Sequence, residues 1–285
     1  MSNRVLYIEI FQPFAQYRNP FTFYYAQAYP LPPKSTIIGM LQNAVGDWYG
    51  NKYGDSCGEK YEDPWWDLKV SVHGGFESVF WNYQRLIEGE IEIRRENGKI
   101  RLYNDGLPLY NEGIESQRSP VYQQELFNGH LYIFIKSEND ELLDEIKNSL
   151  ENPKKVLYLG RSEDIIFIKD VKEIKNDVDR IKVKESVKLT YPTYILAEAF
   201  PIKNKKYPVY FIPVKVIFEN NGKRVKHKAE INKNTERKVE FKNVIYTRYN
   251  STIILKKEEC REVIEVEIYR IGNKEIMIFE KWGWI

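Results

Sequence analysis

The sequence predicts an α+β protein in two parts: a ferredoxin-like domain over residues 1–175 and a mostly antiparallel β domain over 176–285. Three observations carry this expectation. Two amphipathic helical patterns interrupt alternating strand patterns in the order β-α-β-β-α-β. Beyond residue 176 the alternation continues without a helical period. Asn-Gly and Gly-Asn pairs fall between matched apolar runs, where tight hairpins need residues that accept positive φ. A length of 285 residues agrees with two domains at about 150 residues each.

Arg4 to Gln12, containing VLYIEIF, alternates as a strand. Pro20, Pro30, Pro32 and Pro33 keep residues 20–33 extended. A helix follows, with Ile37, Leu41, Ala44, Val45 and Trp48 on one face and Ser35 as its expected N-cap. Residues 68–82 read as the second strand and His130 to Ile135 as the third. DELLDEIKNSL, from Asp140 to Leu150, is an amphipathic helix stopped by Pro153, and Ile165 to Ile168 forms the fourth strand. This order is also that of RNA-recognition domains. Between strands two and three lies an insertion of roughly 83–119, with a hairpin turning at Asn97-Gly98. In the second part, strands are expected at 208–219, 224–231, 239–246, 252–255, 262–271 and 275–279.

The chain is 42% hydrophobic and 29% charged, so it can bury a core. No run approaches the roughly 20 apolar residues of a membrane helix, and the first residues read as strand, not as a signal peptide. Cys57 and Cys260 are too few for a disulfide framework or a four-ligand zinc site, which fits free thiols in a reducing cytoplasm. The net charge of +2 hides an asymmetry: residues 203–257 carry 15 Lys/Arg against 4 Asp/Glu. A basic segment on a nearly neutral chain points to a polyanion, most simply nucleic acid.

Enzyme signatures are thin. His73 and His130 sit in strand patterns, and His227 lies between Lys226 and Lys228, a positive field suited to phosphate contact. No metal-ligand pair, Gly-rich phosphate cradle or nucleophile elbow is present, so no cofactor is expected. RNA-binding features are better developed. Tyr17, Arg18, Phe21, Phe23, Tyr24 and Tyr25 offer ring faces and a cation. Lys34, Ser35 and Thr36 place a cation and hydroxyls at a helix start, a ready anion site. Gly160 and Arg161 form a turn with a guanidinium fork. The sequence expectation is that this turn meets the helix start, with Arg118 and Tyr17 nearby.

Three segments resemble a known family: PFTFYYAQAYPLPPKSTIIGMLQNAVG, ESQRSPVYQQELFNGHLYIFI and NPKKVLYLGRSED. They look like the fifth family of CRISPR-associated proteins, members of the RAMP superfamily, over about residues 3–170. The resemblance implies a subunit of type I Cascade that binds the 5′ handle of crRNA. Its implied partners are crRNA, the Cascade backbone subunit, the large subunit and target DNA. The hairpin near 90–104 stands where the family has its thumb. Its Glu88, Glu90, Glu92 and Glu96 suit protein contact as well as RNA. One branch of the family cleaves pre-crRNA without metal through a Tyr, Lys and His group. Lys226 and His227 offer the right types here but lie outside the resembling region. A metal-independent endoribonuclease and the handle-binding subunit of a type III complex are the two alternatives.

Overall fold

The computed structural model describes residues 4–22, 25–48, 64–87, 91–104, 107–109, 118–175, 178–203, 206–225, 228–256 and 264–285. Phe23, Tyr24, Cys57, Glu88, Glu90, Lys226, His227 and Cys260 lie outside these residues. The fold is mixed α+β and rich in sheet, and among the described residues its strand pairs are antiparallel with one exception. Among the described residues no helix is long and apolar enough to cross a membrane.

The first half contains β1 (Val5–Ala15), β2 (Tyr25–Ala26), α1 (Lys34–Val45), α2 (Pro64–Asp67) and β3 (Lys69–Ile87). It continues with β4 (Ile91–Glu96), β5 (Lys99–Asn104), β6 (Leu107–Leu109), β7 (Arg118–Lys136), α3 (Asp140–Glu151) and β8 (Phe167–Ile174). The central sheet runs β8–β1–β7–β3, each neighbour antiparallel, and β2 adds a short parallel pairing to β7. Leu6, Ile8, Ile10, Val70, Val72 and Ile133 pack with α1 and α3 in the main core. Val5, Tyr7, Tyr132 and Phe134 pack elsewhere, with Tyr269, Ile276, Ile278 and Trp284. Alternate residues of β1 therefore serve two cores, which explains its nearly unbroken apolar run. In an RNA-recognition domain the helix-free face of the sheet stacks bases. Here that face is covered by the chain's own C-terminal hairpin.

Several boundaries differ from the sequence expectation. The second and third strands are far longer than expected, pairing from Lys69↔Lys136 to Ile87↔Arg118, so the insertion narrows to residues 88–117. Ser35 is not the N-cap: the helix starts at Lys34 after Pro33, whose carbonyl accepts from Thr36 N (3.0 Å) and Ile37 N (3.1 Å). The β4–β5 turn is Asn97 and Gly98 at φ 51° and 75°, the two-residue hairpin that the Asn-Gly pair predicts.

The second half holds β9 (Val178–Val183), β10 (Ser186–Leu189), β11 (Tyr194–Leu196), β12 (Val209–Asn220) and β13 (Lys223–Arg224). It ends with β14 (Glu236–Tyr246), β15 (Ser251–Ile254), β16 (Ile264–Ile271) and β17 (Lys274–Phe279). The strand expected over 224–231 is only the two residues of β13, and Lys228–Glu230 is a 3-10 turn. One sheet, β11–β14–β12–β13, lies against α1, contributing Tyr194, Ile212, Val214 and Val244 to the main core. Tyr194 fixes this packing by donating its hydroxyl to the Leu31 carbonyl at 2.8 Å, within the Pro-rich approach to α1. The backbone of Ile285 bonds to Val70 in both directions (3.1 and 2.9 Å).

Candidate nucleic-acid interface

The packing of β12 on α1 leaves a cleft of about 490 Å³. Ser35, Thr36 and Gly39 of α1 line one side, and Tyr158 and Gly160 line another. Trp48 and Trp66 add aromatic walls, while Val216 and Phe218 of β12 close the far side. Arg224 and Arg237 complete the lining. Arg237 lies opposite Phe218 in the β12–β14 ladder, is exposed, and has no side-chain partner among the described residues. The volume falls in the range of small-ligand sites, about 300–1,000 Å³. The start of α1 has no side-chain cap, so its field and first amides favour an anion there. Among the described residues, the indole Nε1 of Trp66 is buried without a hydrogen-bond partner.

Ser35 and Thr36 of the helix start and Gly160 of the LGRSED turn line the same cleft. The side chains expected to act there divide differently. Tyr17 is 3% exposed, its hydroxyl donates to Gln12 Oε1, and its ring packs against Phe76. It cannot stack an incoming base. Arg161 is committed to carboxylates. Its Nη2 donates to Asp164 Oδ1 (2.8 Å), its Nη1 to Glu125 Oε1 (3.0 Å), and its Nε lies 3.3 Å from Glu163. A guanidinium so engaged does not offer a free phosphate fork, which corrects the sequence expectation.

Lys34 turns its ammonium to the Trp66 carbonyl at 3.0 Å. Burial, aided by the positive fields of Lys242 and Lys215, lowers its pKa to about 8. Arg18 is exposed, as are Phe21 and Tyr25. The backbones of Arg118 and Lys228 lie in β7 and the 3-10 turn. His73 is no base: it is buried, its Nε2 lies 3.0 Å from Ser71 Oγ, and burial lowers its pKa to about 3. Among the described residues, no group of three or more His, Cys, Asp or Glu is placed to hold a metal.

Sequence reasoning missed Trp48, Trp66, Tyr158, Arg224 and Arg237. Only the charge excess of 203–257 hinted at the two arginines, because the pairing that carries Arg237 to Phe218 spans the whole β12–β14 connection.

A family model described as "CRISPR-associated protein (Cas_Cas5)" matches residues 5–252. The chain belongs to the Cas5 family of CRISPR-associated proteins. The match reaches well past residue 170, where the sequence resemblance stopped, and includes every cleft residue named above. Among solved structures, this Cas5-family chain is similar to one titled "CRISPR RNA-guided surveillance complex", at 12% identity over 87% of this chain and 91% of that one, TM-score 0.48. It is also similar to a "Crystal structure of Cas protein", at 14% identity over 90% and 96%, TM-score 0.40. A CRISPR protein from Archaeoglobus fulgidus matches at 12% identity over 96% and 98%, TM-score 0.39. No curated protein matches.

Proposed function

We propose that this Cas5-family chain is a non-catalytic subunit of type I Cascade. In this reading it binds the 5′ handle of crRNA and caps the backbone of the complex, beside the terminal backbone subunit and the large subunit. The observation that carries the reading is the cleft. It joins an uncapped helix start, four aromatic side chains and two arginines of the basic segment, the combination that single-stranded RNA needs for its phosphates and splayed bases. The strand order β8–β1–β7–β3, with α1 and α3 packed in one core, supports the ferredoxin-like reading of the first half. In that unit the insertion at 88–117 stands in the place of the thumb.

The test is a titration with crRNA carrying its handle and with the same RNA lacking it. A preference for the handle of about tenfold or more is expected, equivalent to one good charge-assisted contact set. Equal affinity for the two RNAs would remove the handle from the function.

A further inference from the structure

Among the described residues, the long ribbon formed by β3 and β7 has an open side. β3 pairs with β7 along its whole length. Among the described residues its other edge is engaged near its start, where Val70 pairs with Ile285, His73 bridges Thr193 and the Gly74 amide donates to the Pro192 carbonyl at 3.1 Å. From Phe76 onward, no backbone hydrogen bond reaches that edge among the described residues. Ser78 to Gln84 reads SVFWNYQ, without a charge or a proline. Val79, Trp81 and Tyr83 are 52%, 47% and 48% exposed. Tyr25 stacks on Tyr122 and meets Trp81 edge-on, while Tyr83 meets Tyr122, so the rings form one exposed cluster.

Natural proteins blunt free edges with lysine, proline or bulges, because an edge row of N–H and C=O groups pairs with any extended chain. This segment has no lysine or proline and adds large apolar side chains. A nucleic acid could use the ring faces but would leave the backbone row unmatched. An extended polypeptide meets both. The lack of charge over Ser78–Gln84 favours an uncharged partner strand with apolar side chains at alternate positions. We propose that the outer edge of β3 over residues 77–84 receives a β-strand from another protein subunit of the CRISPR complex. This rests on the chain being a complex subunit and is independent of what occupies the cleft.

Hydrogen–deuterium exchange tests it directly, on the chain alone, with crRNA alone, and in the complex purified after co-expression with the CRISPR-associated proteins encoded beside it. Assembly is expected to slow alternate amides within 77–84 at least tenfold, with crRNA alone leaving them fast. Val79→Pro and Phe80→Pro provide a second arm. Successive amides point to opposite edges, so one variant should keep its melting temperature yet lose its place in the complex, and the other should lose stability. Unchanged exchange in an assembled complex would overturn the proposal. So would protection by crRNA alone, or a protected edge in a dimer of the isolated chain. If the unaltered chain enters no complex, the subunit reading falls and takes this proposal with it, whereas loss of handle preference alone leaves it standing.

Discussion

Arg161 and Asp164 close the LGRSED turn on itself. Asp164, with its side chain 1% exposed, accepts from Arg161 Nη2 at 2.8 Å, from the Arg161 amide at 2.9 Å and from the Gln16 amide at 3.0 Å. Gly160 sits beside this carboxylate at φ 114°, where an added Cβ would lie 2.8 Å from Asp164 Oδ2. The arginine that looks like a ligand anchor in the sequence is a fastening that sets the shape of a cleft wall.

Arg161→Ala should therefore act on stability first. It strands a buried carboxylate, at a cost of about 2–4 kcal/mol. Thermal or urea unfolding should show this loss. The preference for RNA with a handle over RNA without one should stay within about threefold of the parent. A lost preference at unchanged stability would return Arg161 to the RNA.

Arg237→Gln should do the reverse. Its side chain holds no partner among the described residues, so stability should change by less than about 0.5 kcal/mol. RNA affinity should fall about tenfold, and the salt dependence should flatten by about 0.7 log units per log unit, the share of one phosphate on a single strand. An unchanged slope would take Arg237 off the RNA path.

Lys34 carries a pH signature at the alkaline side. Folding lowers its pKa from 10.5 to about 8, so between these values the unfolded chain holds more protons and stability rises with pH. Lys34→Met removes this response. The stability of the variant relative to the parent should drop by about 1–2 kcal/mol between pH 7 and pH 9.5. A constant difference would show that the ammonium is not desolvated in the fold.

His73 gives the acid counterpart. Its pKa falls from 6.5 to about 3 on folding, so its contribution is complete above pH 6.5 and is lost as pH falls toward 3. His73→Gln should flatten unfolding stability between pH 6.5 and pH 4.5 by about 1–2 kcal/mol. Equal slopes in parent and variant would show that His73 takes up its proton in the folded state.

The local elements were legible because their causes are local. Alternation placed β1 within three residues of its observed end, and the 3.6-residue period placed both long helices. The Asn-Gly turns at 97–98 and 221–222 stand at positive φ, as that dipeptide requires. The segments around PLPPKSTIIGML and YLGRSED also carried the family. What tertiary structure decided was the partner of each side chain. Alternation gives Tyr17 and Phe21 the same parity and so does not separate them, and only the packing of Phe76 on Tyr17 says which is buried. Arg161 reads the same in sequence whether it meets phosphate or carboxylate. Glu125, a strand away at a separation of 36 residues, settles which. The helix-free face of the central sheet looks available until β16 and β17 arrive, as in the Lys136–Glu267 ion pair across 131 residues. Backbone dihedrals answer to neighbours in the chain, while burial and ion pairing answer to neighbours in space, and those are assigned only when the sheets close.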